Sequence, residues 1–140
     1  MPFNQGQVHV GMTAYFTIDS LRSDPAIKHT GGSQDPKARP FVCYAQAPNG
    51  TVYWTPLSTE TTQSKRSSIP LSNIKNAVGR FVTDIVVVND GAHTYSGPAS
   101  AFAAQSQKSE RPSAAKRTEF DAQGVSIVVQ AVHQRGGQLP

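Results

Sequence analysis

Four side chains in this sequence have the types and spacing to hold a phosphate: Lys37, Arg39, Ser58 and Thr59. Arginine offers a planar, permanently charged fork that meets phosphate oxygens two at a time, and lysine offers a mobile point charge. Hydroxyls donate further hydrogen bonds to the same oxygens. The two cations stand in a glycine-rich stretch, Gly31 to Pro40, that runs into the apolar run Phe41-Val42-Cys43-Tyr44-Ala45. The two hydroxyls close a second stretch, Thr51-Val52-Tyr53-Trp54-Thr55, after Pro56-Leu57.

These groups meet only if the two stretches pair as a hairpin about the turn Ala47-Pro48-Asn49-Gly50, which sets the start of one strand beside the end of the other. Phe41 to Gln46 is nearly all apolar and reads as a central strand, and Trp54 as a core or interface anchor. Gln7 to Phe16 alternates well enough for a first strand, with Gly6 and Gly11 permitting a sharp start and a bend. Thr17 to Thr30 reads as a long connection, with a turn or a short helical start at Asp24-Pro25. Ser72 is placed to cap a short helix through Val78 that Gly79 ends. Phe81 to Val88 carries the densest β signal, and Asn89-Asp90-Gly91 a turn. Pro98 suits the first turn of a helix over Ala99–Ala104, followed by a polar stretch from Gln105 to Ala115. Gly124 to His133 supports two periods. Val125, Ile127, Val129 and Ala131 fit a strand; Val125, Val128, Val129 and Val132 fit a helix; β-branched density favours the strand. The tail from Arg135 is expected to fray. The expectation is a single, mainly β (α+β) domain over residues 1–140 with one to three short helices.

Composition narrows the function classes. Hydrophobic residues make up only 37% and charged ones 16%, which suits a loop-rich β domain better than a helical bundle. No apolar run approaches the roughly 20 residues that span a bilayer. The start, Met1-Pro2-Phe3-Asn4-Gln5-Gly6, lacks the pattern of a signal peptide. The single cysteine, Cys43, cannot form an internal disulfide and reads as a small core side chain, so the chain is expected in the cytoplasm. The net charge of +4 permits a polyanionic partner. Between Glu60 and Arg80 the bases Lys65, Arg66, Lys75 and Arg80 face Glu60 alone, a segment suited to guiding a nucleic-acid backbone as well as to plain solvation. His9, His29, His93 and His133 lie far apart, without metal-ligand spacing, and read as structural or exposed; His29 stands nearest the glycine-rich loop. There is no phosphate-cradling Gly-x-x-x-x-Gly-Lys loop, dinucleotide fingerprint or Gly-x-Ser-x-Gly elbow, and no cofactor is expected.

Gly32-Ser33-Gln34-Asp35-Pro36-Lys37-Ala38-Arg39-Pro40, followed by an apolar strand, resembles the Gly-Ser-Glu-Gln-x-x-x-Arg-Pro signature of MazF/PemK/Kid-type toxins. Thr55-Pro56-Leu57-Ser58-Thr59 stands where that family's next strand ends in Pro-x-Thr-Thr or Pro-Leu-Thr-Ser. The pair Pro36-Lys37-Ala38 and Pro56-Leu57-Ser58-Thr59 is also similar to the ToxN-type toxins. The resemblance covers about residues 6–72. It departs at Gln34-Asp35, in a longer first connection, and after residue 90.

The resemblance implies an SH3-like, Kid-type small barrel with short appended helices. It implies a metal-independent endoribonuclease toxin of a toxin–antitoxin system, usually a homodimer whose RNA groove a protein or RNA antitoxin covers. Carried over by position, Arg39 and Ser58 match active-site residues, Lys37 the ToxN-type lysine and Thr59 the neighbouring hydroxyl. Gln34, Asp35, Lys65 and Arg66 are the expected substrate contacts. Cleavage through the RNA's own 2′-hydroxyl needs a base, for which Asp35 and His29 are the candidates, donors for the phosphate as charge develops, and protonation of the 5′-oxygen, with Lys37 either an electrostatic contact or an acid. Three other readings stand beside this one. The same barrel binds nucleic acid or protein without cutting; a same-fold toxin poisons a protein target such as a topoisomerase; or Lys37 and Arg39 are surface charges and Ser58-Thr59 a turn.

Overall fold

The computed structural model describes residues 2–31, 35–59, 68–82, 85–110 and 116–140. Its centre is the hairpin of β3 (Ala38–Gln46) and β4 (Thr51–Ser58), closed at Ala47–Gly50 with Gly50 at φ +90°. That positive φ costs glycine nothing. The first strand, β1 (Thr13–Thr17), lies on the outer edge of β3, and Thr17 then caps the short helix α1 (Ile18–Ser23) by accepting from Ser20 N–H at 3.1 Å. The connection after α1 holds a further strand, β2 (Lys28–Thr30).

The free side of β4 is filled from later in the chain. Past β5 (Ser68–Ile69) and β6 (Ile74–Lys75), β7 (Ile85–Val87) pairs with Leu57 and Ser58. After the turn Val88–Gly91, β8 (Thr94–Pro98) pairs with Thr51–Trp54. β2 adds antiparallel to β8, and β5 to β7. The main sheet therefore runs β1-β3-β4-β8-β2, with β7 and β5 extending from the end of β4. Among the described residues no pairing joins β1 to β2, so the sheet is open there. The fold is α+β with a mainly antiparallel sheet; β9 (Glu119–Phe120) pairs separately with β6.

Alternation along the strands divides the core in two. Ala14, Phe16, Phe41, Cys43, Val52, Trp54 and Tyr95 face α1 and α2 (Ala99–Ser109), with Leu21 and Phe102 filling the layer. Val42, Tyr44, Leu57, Ile85 and Val87 face α3 (Ala122–Gln134), which supplies Val128, Ala131 and Val132. Cys43 is buried, and burial pushes its thiol up to about 12, as suits an inert core side chain.

Several expectations are corrected. Gly124–His133 is helix, not strand, because Asp121 caps it at Gly124 N–H (2.8 Å) and its helical valine face covers the sheet. Among the described residues of Phe81–Val88, Ile85–Val87 is strand and Phe81–Val82 ends a 3-10 turn. Ser72 does not start an α-helix; a single 3-10 turn, Leu71–Asn73, leads into β6, where Asn73 is held by Asp121. Gln7–Val10 is not strand, because the chain turns at Gly11 (φ +97°) to pass beneath the Phe120 carbonyl. The tail beyond Arg135 is tied down rather than frayed. Gln138 accepts from Tyr44 Oη at 2.5 Å and from Ser96 Oγ at 2.6 Å, and its N–H donates to Thr94 Oγ1 at 3.1 Å.

Candidate functional site

Arg39 is the second residue of β3, in the extended geometry that a following proline favours. Phe41 pairs with Pro56, so Arg39, two residues before one, and Ser58, two residues after the other, are carried to the same end of the hairpin. By alternation both fall on the face of Phe41 and Trp54. Ser58 is half-buried and in register with Val86 of β7, while Thr59 and Lys37 are exposed. Gln34, Lys65 and Arg66 lie outside the described residues.

Asp35 organises the cations instead of standing apart as a proton acceptor. One of its oxygens accepts from Lys37 N–H at 2.9 Å. The other accepts from Arg39 Nε at 2.6 Å, with a second guanidinium nitrogen at 2.5 Å. The Lys37 N–H foremost, with the Arg39 hydrogen bond and charge acting against desolvation, holds its carboxyl below the usual range. A carboxylate so stabilised as an anion accepts protons poorly, which leaves His29 as the stronger candidate base.

Pairing of β2 with β8 sets His29 opposite Tyr95, with the rings 6.2 Å apart. Two residues earlier, His93 is buried, its Nε2 lies 2.7 Å from Tyr95 Oη, and its carbonyl accepts from the Thr55 hydroxyl at 2.7 Å. From α1, Arg22 reaches the Gly31 carbonyl at 3.5 Å. Gly31 (φ +65°) packs so closely on Ala92 and His93 that a Cβ there would stand 2.9 Å from the Ala92 carbonyl oxygen.

Burial, reinforced by the positive charges of Arg22 and Arg39, lowers His93 to about 4, so it is neutral at pH 7. Burial lifts the Tyr95 phenol to about 12 against the pull of Arg22. Among the described residues His93 Nδ1 has no hydrogen-bond partner. An orphaned N–H is rarer than an orphaned acceptor, so the network assigns the proton to Nε2, donating to Tyr95.

One corner of the aromatic face thus gathers two guanidiniums, an exposed imidazole, a buried imidazole–phenol pair and the hydroxyl end of β4. Such a corner can bind an oxyanion and take up a proton beside it. Among the described residues no group of three His, Cys, Asp or Glu side chains is placed to hold a metal, and no helix is long and apolar enough to cross a membrane.

The chain matches no family model, no curated protein and no solved structure.

Arg22 and Tyr95 carry no sequence signal for this site, and His93 reads from sequence only as structural or exposed. Period-two spacing of His93 and Tyr95 is the one local signal that they share a face. The pairing that brings His29 to them joins strands with most of the sheet between them in sequence.

Proposed function

We propose that this corner is the active site of a metal-independent endoribonuclease, a toxin whose partner is a protein or RNA antitoxin. The observation that carries the reading is the β3–β4 register, which sets Arg39 and Ser58 at one end and on one face of the hairpin. The resemblance of the flanking segments to MazF/PemK/Kid-type and ToxN-type toxins supports it, as does a mainly antiparallel sheet with a short strand-paired centre. On this reading the sheet is a variant of the SH3-like barrel, and two copies form the working unit.

The chemistry follows from the residues. RNA carries its own nucleophile, the 2′-hydroxyl: its oxygen bonds to phosphorus as the bond to the 5′-oxygen breaks, and the leaving 5′-oxygen takes up a proton from water, so the protein must remove one proton and stabilise charge. His29, exposed on β2, takes the 2′-hydroxyl proton. Arg39 binds the non-bridging phosphate oxygens as negative charge grows in the transition state, and the Ser58 and Thr59 hydroxyls donate to the same oxygens. Lys37, exposed beside them, adds long-range attraction for the backbone. His93 and Tyr95 form the buried floor beneath His29.

Incubation of the protein with RNA in the presence of chelator tests the reading. Cleavage is expected for the wild-type chain, with a drop of roughly a hundredfold or more in Arg39→Ala, the usual scale for losing one transition-state donor. Arg39→Lys recovers only part, because a point charge lacks the fork. Full cleavage by folded Arg39→Ala overturns the assignment. A second reading, binding without cutting, is favoured by one observation: the Arg39 fork is already engaged by Asp35. RNA retained intact by the wild-type chain decides for it.

A further inference from the structure

Arg39 alone is a partly exposed side chain paired with a residue four positions away, an arrangement that fixes little by itself. What makes it directional lies one layer out. Asp35 exchanges two hydrogen bonds with Asp19 at the start of α1: Asp35 N–H donates to Asp19 Oδ1 at 2.6 Å, and Asp19 N–H donates to the Asp35 carbonyl at 3.2 Å. Asp35 is held at its backbone by α1 and holds Arg39 with its carboxylate. One helical turn on, Arg22 reaches Gly31, at the other side of the glycine-rich loop. The short helix thus grips that loop at two points.

We infer that Asp19 is a positioning residue for Arg39, acting through the Asp35 backbone. The inference rests on the endoribonuclease reading only for its activity readout. The Asp19 carboxylate supplies a short acceptor to an amide that has no strand partner among the pairings of the sheet. Without it, among the described contacts, the segment before β3 keeps the longer bond from Asp19 N–H to the Asp35 carbonyl and the contacts it makes to itself, Lys37 N–H and Arg39 on the Asp35 carboxylate. The Arg39 fork then samples directions in which it misses the phosphate. A misplacement of about 1 Å costs up to a hundredfold in rate. Charge is not the requirement: an acceptor oxygen at the same place suffices, so asparagine is expected to replace aspartate here.

The test uses the full chain. Asp19→Ala is expected to lower RNA cleavage roughly tenfold through kcat, with Asp19→Asn restoring most of it. In an Arg39→Ala background, Asp19→Ala is expected to change cleavage no further, because the two act through one group. Independently of any activity, the Arg39 Nε–H resonance is expected to be distinct and slowly exchanging in the wild type, to broaden or merge with exposed arginines in Asp19→Ala, and to return in Asp19→Asn. An unchanged Arg39 signal in folded Asp19→Ala overturns the inference, as does an Asp19→Ala loss that persists undiminished without Arg39. If the wild-type chain does not cleave RNA, the endoribonuclease reading falls and the Nε–H comparison still decides this one.

Discussion

On one face of the sheet, Phe16, Phe41, Trp54, Tyr95 and Phe102 interlock with ring centres 5.2 to 5.9 Å apart, mostly edge to face. On the other, Val42, Leu57 and Val87 receive Val128 and Val132 from α3, and the packing is mainly aliphatic, with the rings of Tyr44, Phe81 and Phe120 dispersed in it. The aromatic layer constrains its neighbours by ring geometry as well as by area, whereas branched aliphatics repack more readily. Arg22, Arg39, His29 and His93 of the candidate site gather around Tyr95 at the edge of the aromatic layer. A rigid platform under polar groups is what preorganisation requires, while the α3 face needs only to exclude water.

That contrast can be broken most severely from its centre. Phe16 touches Phe3, Phe41, Trp54 and Phe102, and Phe16→Ala is expected to cost about 3–5 kcal/mol, against roughly 1–3 kcal/mol for Val132→Ala on the aliphatic face. Urea melts of the two variants make the comparison, and a larger loss at Val132 reverses it.

Acid should loosen the same corner next. His93 is held neutral, with its pKa brought from 6.5 to about 4, so between those values the unfolded chain binds the proton that the folded one refuses. Stability from this residue is complete above pH 6.5, falls as pH drops, and is gone by about pH 4. The whole swing is roughly 3 kcal/mol at most. Chemical denaturation at pH 7, 5.5 and 4, with His93→Gln losing most of the acid slope, checks it. An identical slope in that variant removes His93 as the cause.

His29 separates function from packing on the aromatic face. His29→Gln is expected to cut cleavage roughly a hundredfold while the melting temperature stays within a degree or two, since the side chain is exposed. Unchanged cleavage would return the base to Asp35.

The smallest effect lies away from both faces. Exposed His9 meets Glu119; burial pulls its pKa down, but the Glu119 and Gln7 hydrogen bonds outweigh that and leave it raised. This pair therefore contributes fully below pH 6.5 and is lost as pH rises through the raised folded value, opposite in sign to His93. A Glu119→Gln variant should flatten that weak alkaline trend in thermal melts.

The central hairpin was legible because its two apolar runs and its Asn-Gly turn are local signals. The site was half legible for the same reason: Lys37, Arg39, Ser58 and Thr59 ride on that hairpin, whereas Arg22, His93 and Tyr95 reach it only through long-range pairings. The α3 segment was misread because valines satisfy both periods. What decides between them is the Asp121 cap and the need to cover Leu57 and Val87, and the second of these is a tertiary fact. The pairing of Asp35 with Arg39 was not legible, because composition shows a carboxylate and not the N–H groups around it.

The strap that fastens β1 carries a kinetic consequence. Thr13 hydroxyl and N–H both reach the Thr118 carbonyl across 105 residues, and Gly11 links Cys43 on one side to Phe120 on the other. Closing so long a loop costs entropy before any contact repays it, so this topology belongs with slow folders, in the millisecond-to-second range. Until residues 117–120 arrive, the outer side of the segment leading into β1 is open to pairing with other chains. Recovery of native protein on refolding should therefore fall as concentration rises, through competition between closing this strap and capture of an exposed edge by a neighbour.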